Sequence, residues 1–232
     1  MSKTYKHLFF DLDHTLWDFE ANSNYALQQV FEEYDLPSVG IPSFADFAEV
    51  YNVHNEKLWS RFRNGYIKRE ELRWKRFWLT LLDFKIGDTA LAHELSEAYL
   101  EILPNQNRLT PNAKDVLEYC KGKYELHLIT NGFEATQWQK LHYSGIAGYF
   151  KEVITSEKSM SMKPQSGIFN FALNATGAAI EDSIMIGDAL DIDILGAFYA
   201  GWDQVFYNPG GVIHTHKPTY EIKDLKELIG IF

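Results

Sequence analysis

Two hydrophobic rhythms divide this chain. Short apolar runs, His7-Leu8-Phe9-Phe10, Tyr124 to Ile129 and Ser183 to Ile186, each stop abruptly at small or acidic residues. Runs so short and so rich in large apolar groups read as parallel strands buried on both faces. Val153-Ile154-Thr155 and Val205-Phe206-Tyr207 predict two further short strands. From Asn22 to Ile102 the rhythm is helical instead. Ala26, Leu27, Val30, Phe31 and Tyr34 make one stripe, and Phe44, Phe47, Ala48 and Tyr51 make a second, extended by Leu58 and Phe62. Pro42 and a cap at Ser43, with Asp46 three residues on, open that second helix, and Gly65 breaks it. Trp74, Phe77, Trp78 and Leu81 mark a third helix within 72–82, and 91–102 supplies a fourth.

A polar, turn-rich stretch from Pro104 to Leu109 leads out of these helices, and Thr110-Pro111 predicts the cap and first position of the next one. Beyond it, helices and strands alternate to the end of the chain, the pattern of a parallel sheet with helices on both faces. The reading is therefore an α/β core formed by 1–16 and 105–232, with a helical bundle, 17–104, inserted after the first strand.

Composition narrows the function. The 232 residues are 46% apolar and carry a net charge of -10. That balance argues against a surface that grips a nucleic-acid polymer, which needs a basic stripe. A small anionic substrate, neutralised locally by a lysine and a metal ion, is compatible with it. The single cysteine, Cys120, falls on an apolar helical stripe with Val116 and Leu117 and is expected in the core. Neither a signal peptide nor a membrane-length apolar stretch is found, which predicts a cytoplasmic protein, monomer or homodimer.

The chemistry gathers at the strand ends. Asp11 and Asp13 flank Leu12 beyond the first strand, both on one side of the chain, and like charges so close call for a cation or a proton between them. Thr130-Asn131-Gly132 ends the second long run, and Gly187-Asp188 the third, with Asp191 and Asp193 in what reads as the first turn of a helix. Asp191 is expected to cap that helix. Lys163 precedes Pro164 and a helix near Ser166, so an extended backbone is expected there. An acid pair, a hydroxyl, a lysine and a further acid form a set suited to phosphoryl transfer.

In that order, Asp11-Leu12-Asp13-His14-Thr15, Thr130, Lys163 and Gly187-Asp188 with Asp193 resemble the four motifs of the haloacid dehalogenase superfamily of hydrolases. The resemblance implies a Rossmann-like core with a mobile helical cap. It implies that Asp11 is the nucleophile, forming an aspartyl-phosphate, and that Asp11, Asp188 and the Asp13 carbonyl ligate Mg²⁺. The Asp13 side chain would be the general acid and base. Thr130, Asn131 and Gly132 would bind phosphate, Lys163 would neutralise it, and Asp193 would orient Lys163. Thr15 would support the site, and His14 stands where the family often has glycine.

Asp13 also selects among reactions. A dehalogenase of the superfamily expels halide without a proton and keeps only the first acid, so a second acid favours phosphate esters and disfavours phosphonates. Asn131-Gly132-Phe133 with Gln137, Lys140-Leu141 and Ser144-Gly145, and Asn64-Gly65-Tyr66-Ile67 with Glu71-Leu72-Arg73, resemble the branch of pyrimidine 5′-nucleotidases. That implies nucleoside monophosphates as substrates. The alternatives are a phosphatase of sugar or sugar-acid phosphates, a phosphomutase or phosphoryl-carrying regulatory protein, and most distantly a 2-haloacid dehalogenase. Trp17, Phe19, Trp59, Arg63, Tyr66 and Phe133 are candidate substrate contacts. His214 and His216 read as a loop without a third metal ligand.

Overall fold

The computed structural model describes residues 4–232. The chain forms β1 (His7–Phe10), then the helices α1 (Phe19–Glu33), α2 (Phe44–Arg63), α3 (Arg69–Asp83) and α4 (Thr89–Ile102). It continues through α5 (Ala113–Cys120), β2 (Glu125–Thr130), α6 (Glu134–Tyr143), β3 (Glu152–Thr155), the single turn α7 (Ser156–Ser159) and α8 (Ser166–Thr176). The last part comprises β4 (Ser183–Gly187), a π turn (Leu190–Ile194), α9 (Leu195–Tyr199), β5 (Asp203–Tyr207), β6 (Tyr220–Ile222) and α10 (Leu228–Ile231).

Among the described residues the six strands are all parallel, in the order β3-β2-β1-β4-β5-β6. β1 lies between β2 and β4, with Phe10 opposite both Leu128 and Ile186. Leu8, Phe9 and Phe10 are wholly buried, as a central strand covered on both faces requires. One face packs Phe9, Ile129, Ile154, Met185 and Trp202 against Ile168 and Phe169 of α8. The Phe9 and Trp202 rings lie 4.7 Å apart, edge to face. This core fixes the carboxyl ends of β1, β2 and β4 side by side, about 4.8 Å between neighbours. The order of strands reverses at β1, and such a switch point leaves a crevice beyond the strand ends.

Chain contacts divide the protein into two units, Met1–Phe19 with Asn107–Phe232, and Glu20–Gln106. Within the second unit Phe47, Tyr51, Phe77 and Tyr99 form an aromatic cluster around the buried Arg76. Ser43 caps α2, its hydroxyl accepting the Asp46 N–H and donating to the Asp46 carboxylate at 2.6 Å. Gly65 follows α2 with φ +74°, a left-handed conformation that costs glycine little.

Three local expectations need correction. α5 starts at Ala113 behind a left-handed Asn112, so Thr110-Pro111 sits in the preceding turn, where the Thr110 carbonyl accepts the Ala113 N–H. The segment after β4 begins as a π turn rather than an α-helix, and Asp191 is exposed there. The acid that satisfies a free amide of that turn is Asp193, which accepts the Ala189 N–H at 3.1 Å. β6 was not foreseen; its three residues pair with β5 along an edge that would otherwise be open. Cys120 is buried, and burial pushes its thiol up to about 11. His214 and His216 turn to different rings, Phe206 and Phe198, and do not form a pair.

Candidate active site

The backbone of Asp11 is still part of the sheet, its N–H donating to the Ile186 carbonyl at 2.8 Å. Its side chain therefore leaves the end of β1 in a fixed direction. Lys163 meets it from the loop before α8. The buried ammonium donates to Asp11 Oδ1 at 2.5 Å and to the Ile129 carbonyl at 2.7 Å, and pairs with Asp193 Oδ1 at 2.7 Å. Asn131 locks that loop by a two-way exchange: Oδ1 accepts the Lys163 N–H at 2.8 Å and Nδ2 donates to the Lys163 carbonyl at 2.9 Å. The Lys163-Pro164 peptide is cis.

Two glycines make this arrangement sterically possible. A Cβ on Gly187 would stand 2.4 Å from Asp193 Oδ2, and one on Gly196 would stand 2.8 Å from the Pro164 Cα. Thr15, fully buried, donates its hydroxyl to Asp188 Oδ1 at 2.8 Å. One oxygen from each of Asp11, Asp188 and Asp193 lies within 4.8 Å of the others.

The charges in this cluster do not balance. Burial disfavours the Lys163 ammonium, but Asp11 and Asp193 together hold it above its usual range. Burial raises Asp11 well above an ordinary carboxyl; Lys163 pulls it back, and repulsion from Asp193 and Asp188 adds to the rise. Burial, then Asp193, lifts Asp188 to about 6. Three carboxylates thus share a single ammonium. A hard divalent cation with oxygen ligands fits such a set, because it supplies the missing charge and matches the donor type.

Asp13 is held differently. Lys163 meets Asp11 and Asp193, whereas a second ammonium, that of Lys140, meets Asp13. Lys140, with 3% of its side chain exposed, donates to Asp13 Oδ1 at 2.6 Å, and Gln137 Nε2 donates to Asp13 Oδ2 at 2.9 Å. The Lys140 ammonium also stands 4.4 Å from the Trp17 ring centre and 5.4 Å from that of Phe19. Burial would raise the Asp13 carboxyl, yet Lys140, Gln137 and His14 keep it below the usual carboxylate range.

Gln137 Nε2 also donates to Thr130 Oγ1 at 2.6 Å, and the Gly132 N–H adds a second bond to the same oxygen at 3.1 Å. With both lone pairs of Thr130 engaged, its own proton is what it offers an anion. Gly132 is required here by space: a Cβ would lie 1.9 Å from Gln137 Nε2. His14 adopts φ +67°, which accounts for the tolerance of glycine at such a position, and its exposed ring packs 4.8 Å from Phe19.

The expected residues Asp11, Asp13, Thr15, Thr130, Asn131, Gly132, Lys163, Asp188 and Asp193 thus come together. Trp17 is fully buried beneath Lys140, and Phe133 is 8% exposed. Trp59, Arg63 and Tyr66 belong to the helical unit, where Tyr66 is 74% exposed. Gln137 and Lys140 carry part of the resemblance to the pyrimidine 5′-nucleotidase branch but have no site role in the sequence reading, because a helix from Phe133 is ordinarily packing.

A model of haloacid dehalogenase-like hydrolases matches residues 5–201. The chain belongs to this hydrolase family. As a haloacid dehalogenase-like hydrolase it has a close structural counterpart in the HAD-hydrolase YfnB of Bacillus subtilis bound to magnesium. The TM-score is 0.89 and the identity 33%, over 99% of both chains. The pyrimidine 5′-nucleotidase PynA of Streptococcus pneumoniae is 33% identical over 97% of this chain and 94% of its own. The glyceraldehyde 3-phosphate phosphatase of Methanothermobacter thermautotrophicus is 30% identical over 88% of this chain and 85% of its own. No helix among the described residues of this hydrolase is long and apolar enough to cross a membrane.

Proposed function

We propose that this hydrolase is a Mg²⁺-dependent phosphomonoesterase working through an aspartyl-phosphate on Asp11. The observation that carries the reading is the second acid, Asp13, seated at the end of β1 by Lys140 and Gln137 and joined through Gln137 to the Thr130 hydroxyl. Displacement of halide at carbon has no use for it. Asp11, Asp188 and the Asp13 carbonyl are the ligands assigned to Mg²⁺, with Asp193 kept for Lys163. The ion would supply the charge that screens the phosphate oxygens from an anionic nucleophile.

In the first step an Asp11 oxygen bonds to phosphorus while the bond to the ester oxygen breaks. Asp13 delivers a proton to that oxygen. Asp13 rests as a carboxylate, so the proton arrives with the ester, whose second ionisation lies at about pH 6. In the second step Asp13 takes a proton from water as that water attacks phosphorus and the bond to Asp11 breaks. Thr130 and the Asn131 amide hold phosphate oxygens, and Lys163 neutralises them.

The substrate class assigned is the nucleoside 5′-monophosphates, pyrimidine first, supported by the likeness to PynA over nearly the whole chain. The likeness to a glyceraldehyde 3-phosphate phosphatase favours a second reading, a phosphatase of small sugar phosphates. Phosphate release from nucleoside, sugar and sugar-acid monophosphates, with Mg²⁺ or with excess EDTA, tests both. The expected result is Mg²⁺-dependent release led by pyrimidine monophosphates. Release led by sugar phosphates discards the nucleotidase, and no release from any ester discards the phosphatase.

A further inference from the structure

Lys140 and Gln137 are three residues apart on α6, on the same face of the helix, and both end on Asp13. A buried ammonium is costly unless it is paired, and the partner of this one is a carboxylate just beyond the end of the neighbouring strand β1. Gln137 is also fully buried, and its amide orientation is determined by its neighbours. Nε2 faces two acceptors, Asp13 Oδ2 and Thr130 Oγ1, and a flipped amide would set oxygen against oxygen. The consequence is a buried Oε1 with no hydrogen-bond partner. The fold carries that unsatisfied oxygen to keep both Nε2 contacts. Gly132 completes the device by leaving the volume Gln137 occupies.

Resting on the phosphomonoesterase reading, we propose that Lys140 and Gln137 are positioning residues that aim the Asp13 carboxyl at the leaving oxygen and couple it to the phosphate-binding Thr130. A carboxylate has about four acceptor sites. Lys140 takes one on Oδ1 and Gln137 one on Oδ2, so each oxygen keeps a site for substrate or water. The carboxyl group is thereby oriented without being blocked. The turn that follows Asp13 is closed by the His14 N–H to Trp17 carbonyl bond at 2.9 Å, which fixes the backbone, and Lys140 and Gln137 set the direction of the Asp13 side chain. A purely structural pair would stabilise the fold to the same degree whatever ester is being cleaved.

The test uses leaving groups. A nucleoside 5′-monophosphate needs a proton on its departing oxygen, whereas p-nitrophenyl phosphate needs little help. In Lys140→Met, kcat on UMP is expected to fall roughly 100-fold with KM within about twofold, and kcat on p-nitrophenyl phosphate less than about tenfold. Lys140→Arg, which keeps the cation, should restore most of the difference. In an Asp13→Asn background the added Lys140→Met should cost less than about threefold, because both changes act through one group. If Lys140→Met does not fold, Gln137→Leu, which removes no charge, carries the same comparison. Equal losses on both esters, or losses that multiply with Asp13→Asn, overturn the proposal and leave the phosphatase reading standing. Wild-type protein that releases phosphate from neither ester overturns both.

Discussion

Asp11 and Asp13 are two positions apart and sit in opposite electrostatic surroundings. Asp11 shares one ammonium with two other carboxylates, while Asp13 has Lys140 and an amide to itself. That asymmetry divides their work, since one acid must attack phosphorus and the other must exchange protons. Asp11→Asn keeps the volume and removes the nucleophile. Phosphate release should fall to background with the circular-dichroism spectrum unchanged, and surviving turnover would refute the covalent route. Gly187→Ala probes the support beneath it. The added methyl meets Asp193 Oδ2 at 2.4 Å and must displace the acid that pairs with Lys163. Release should drop at least about tenfold while the fold persists, as expected for a misplaced charge in a phosphoryl-transfer site; an active Gly187→Ala protein would show that Asp193 does not orient Lys163. Asp11, Asp13 and Asp188 were legible in sequence because they follow short apolar runs that read as buried strands. Gln137 and Lys140 were not, since a lysine on a helix ordinarily lies on the solvated face, and nothing local marks this one as buried.

Among the elements, those with their own punctuation were readable. α2 begins at Ser43 because a serine side chain replaces the hydrogen-bond partner that a first-turn amide lacks. Ser43→Ala should lower stability by about 1 kcal/mol in a urea melt and leave phosphate release unchanged. A loss of activity without a loss of stability would assign Ser43 another role. Elements without such signals were misread. Thr110-Pro111 looks like a helix start, yet the left-handed Asn112 delays it to Ala113. Asp191 has the composition of a cap, but the π turn exposes it and gives the amide to Asp193. Tyr220–Ile222 is too short to show any periodicity and is a strand because β5 offers it an unpaired edge.

The unbalanced charge at the sheet's carboxyl edge bears on the stability of the protein as a whole. Asp188 titrates near 6 in the folded chain against an ordinary 3.8, so its ionised form opposes folding at neutral pH. Without metal, this contribution to stability should rise as pH falls from 7 towards 5. Asp13 acts in the reverse sense. Its carboxyl is held low, so its contribution is present above the ordinary carboxyl range and is lost as pH falls through the depressed value. Mg²⁺ at a hundred times its dissociation constant should add about 2.7 kcal/mol. The melting temperature should therefore rise with Mg²⁺ at pH 7.5 and much less at pH 5, where protons compete for Asp188. An equal rise at both, or none at pH 7.5, would remove the metal from this site. Apolar runs and helical stripes, which follow from local periodicity, were enough to determine the α/β class, the inserted helices and the order of the motifs. The pairing of β1 with strands more than a hundred residues away decided which acid meets which lysine, because burial and electrostatic partnership depend on neighbours in space.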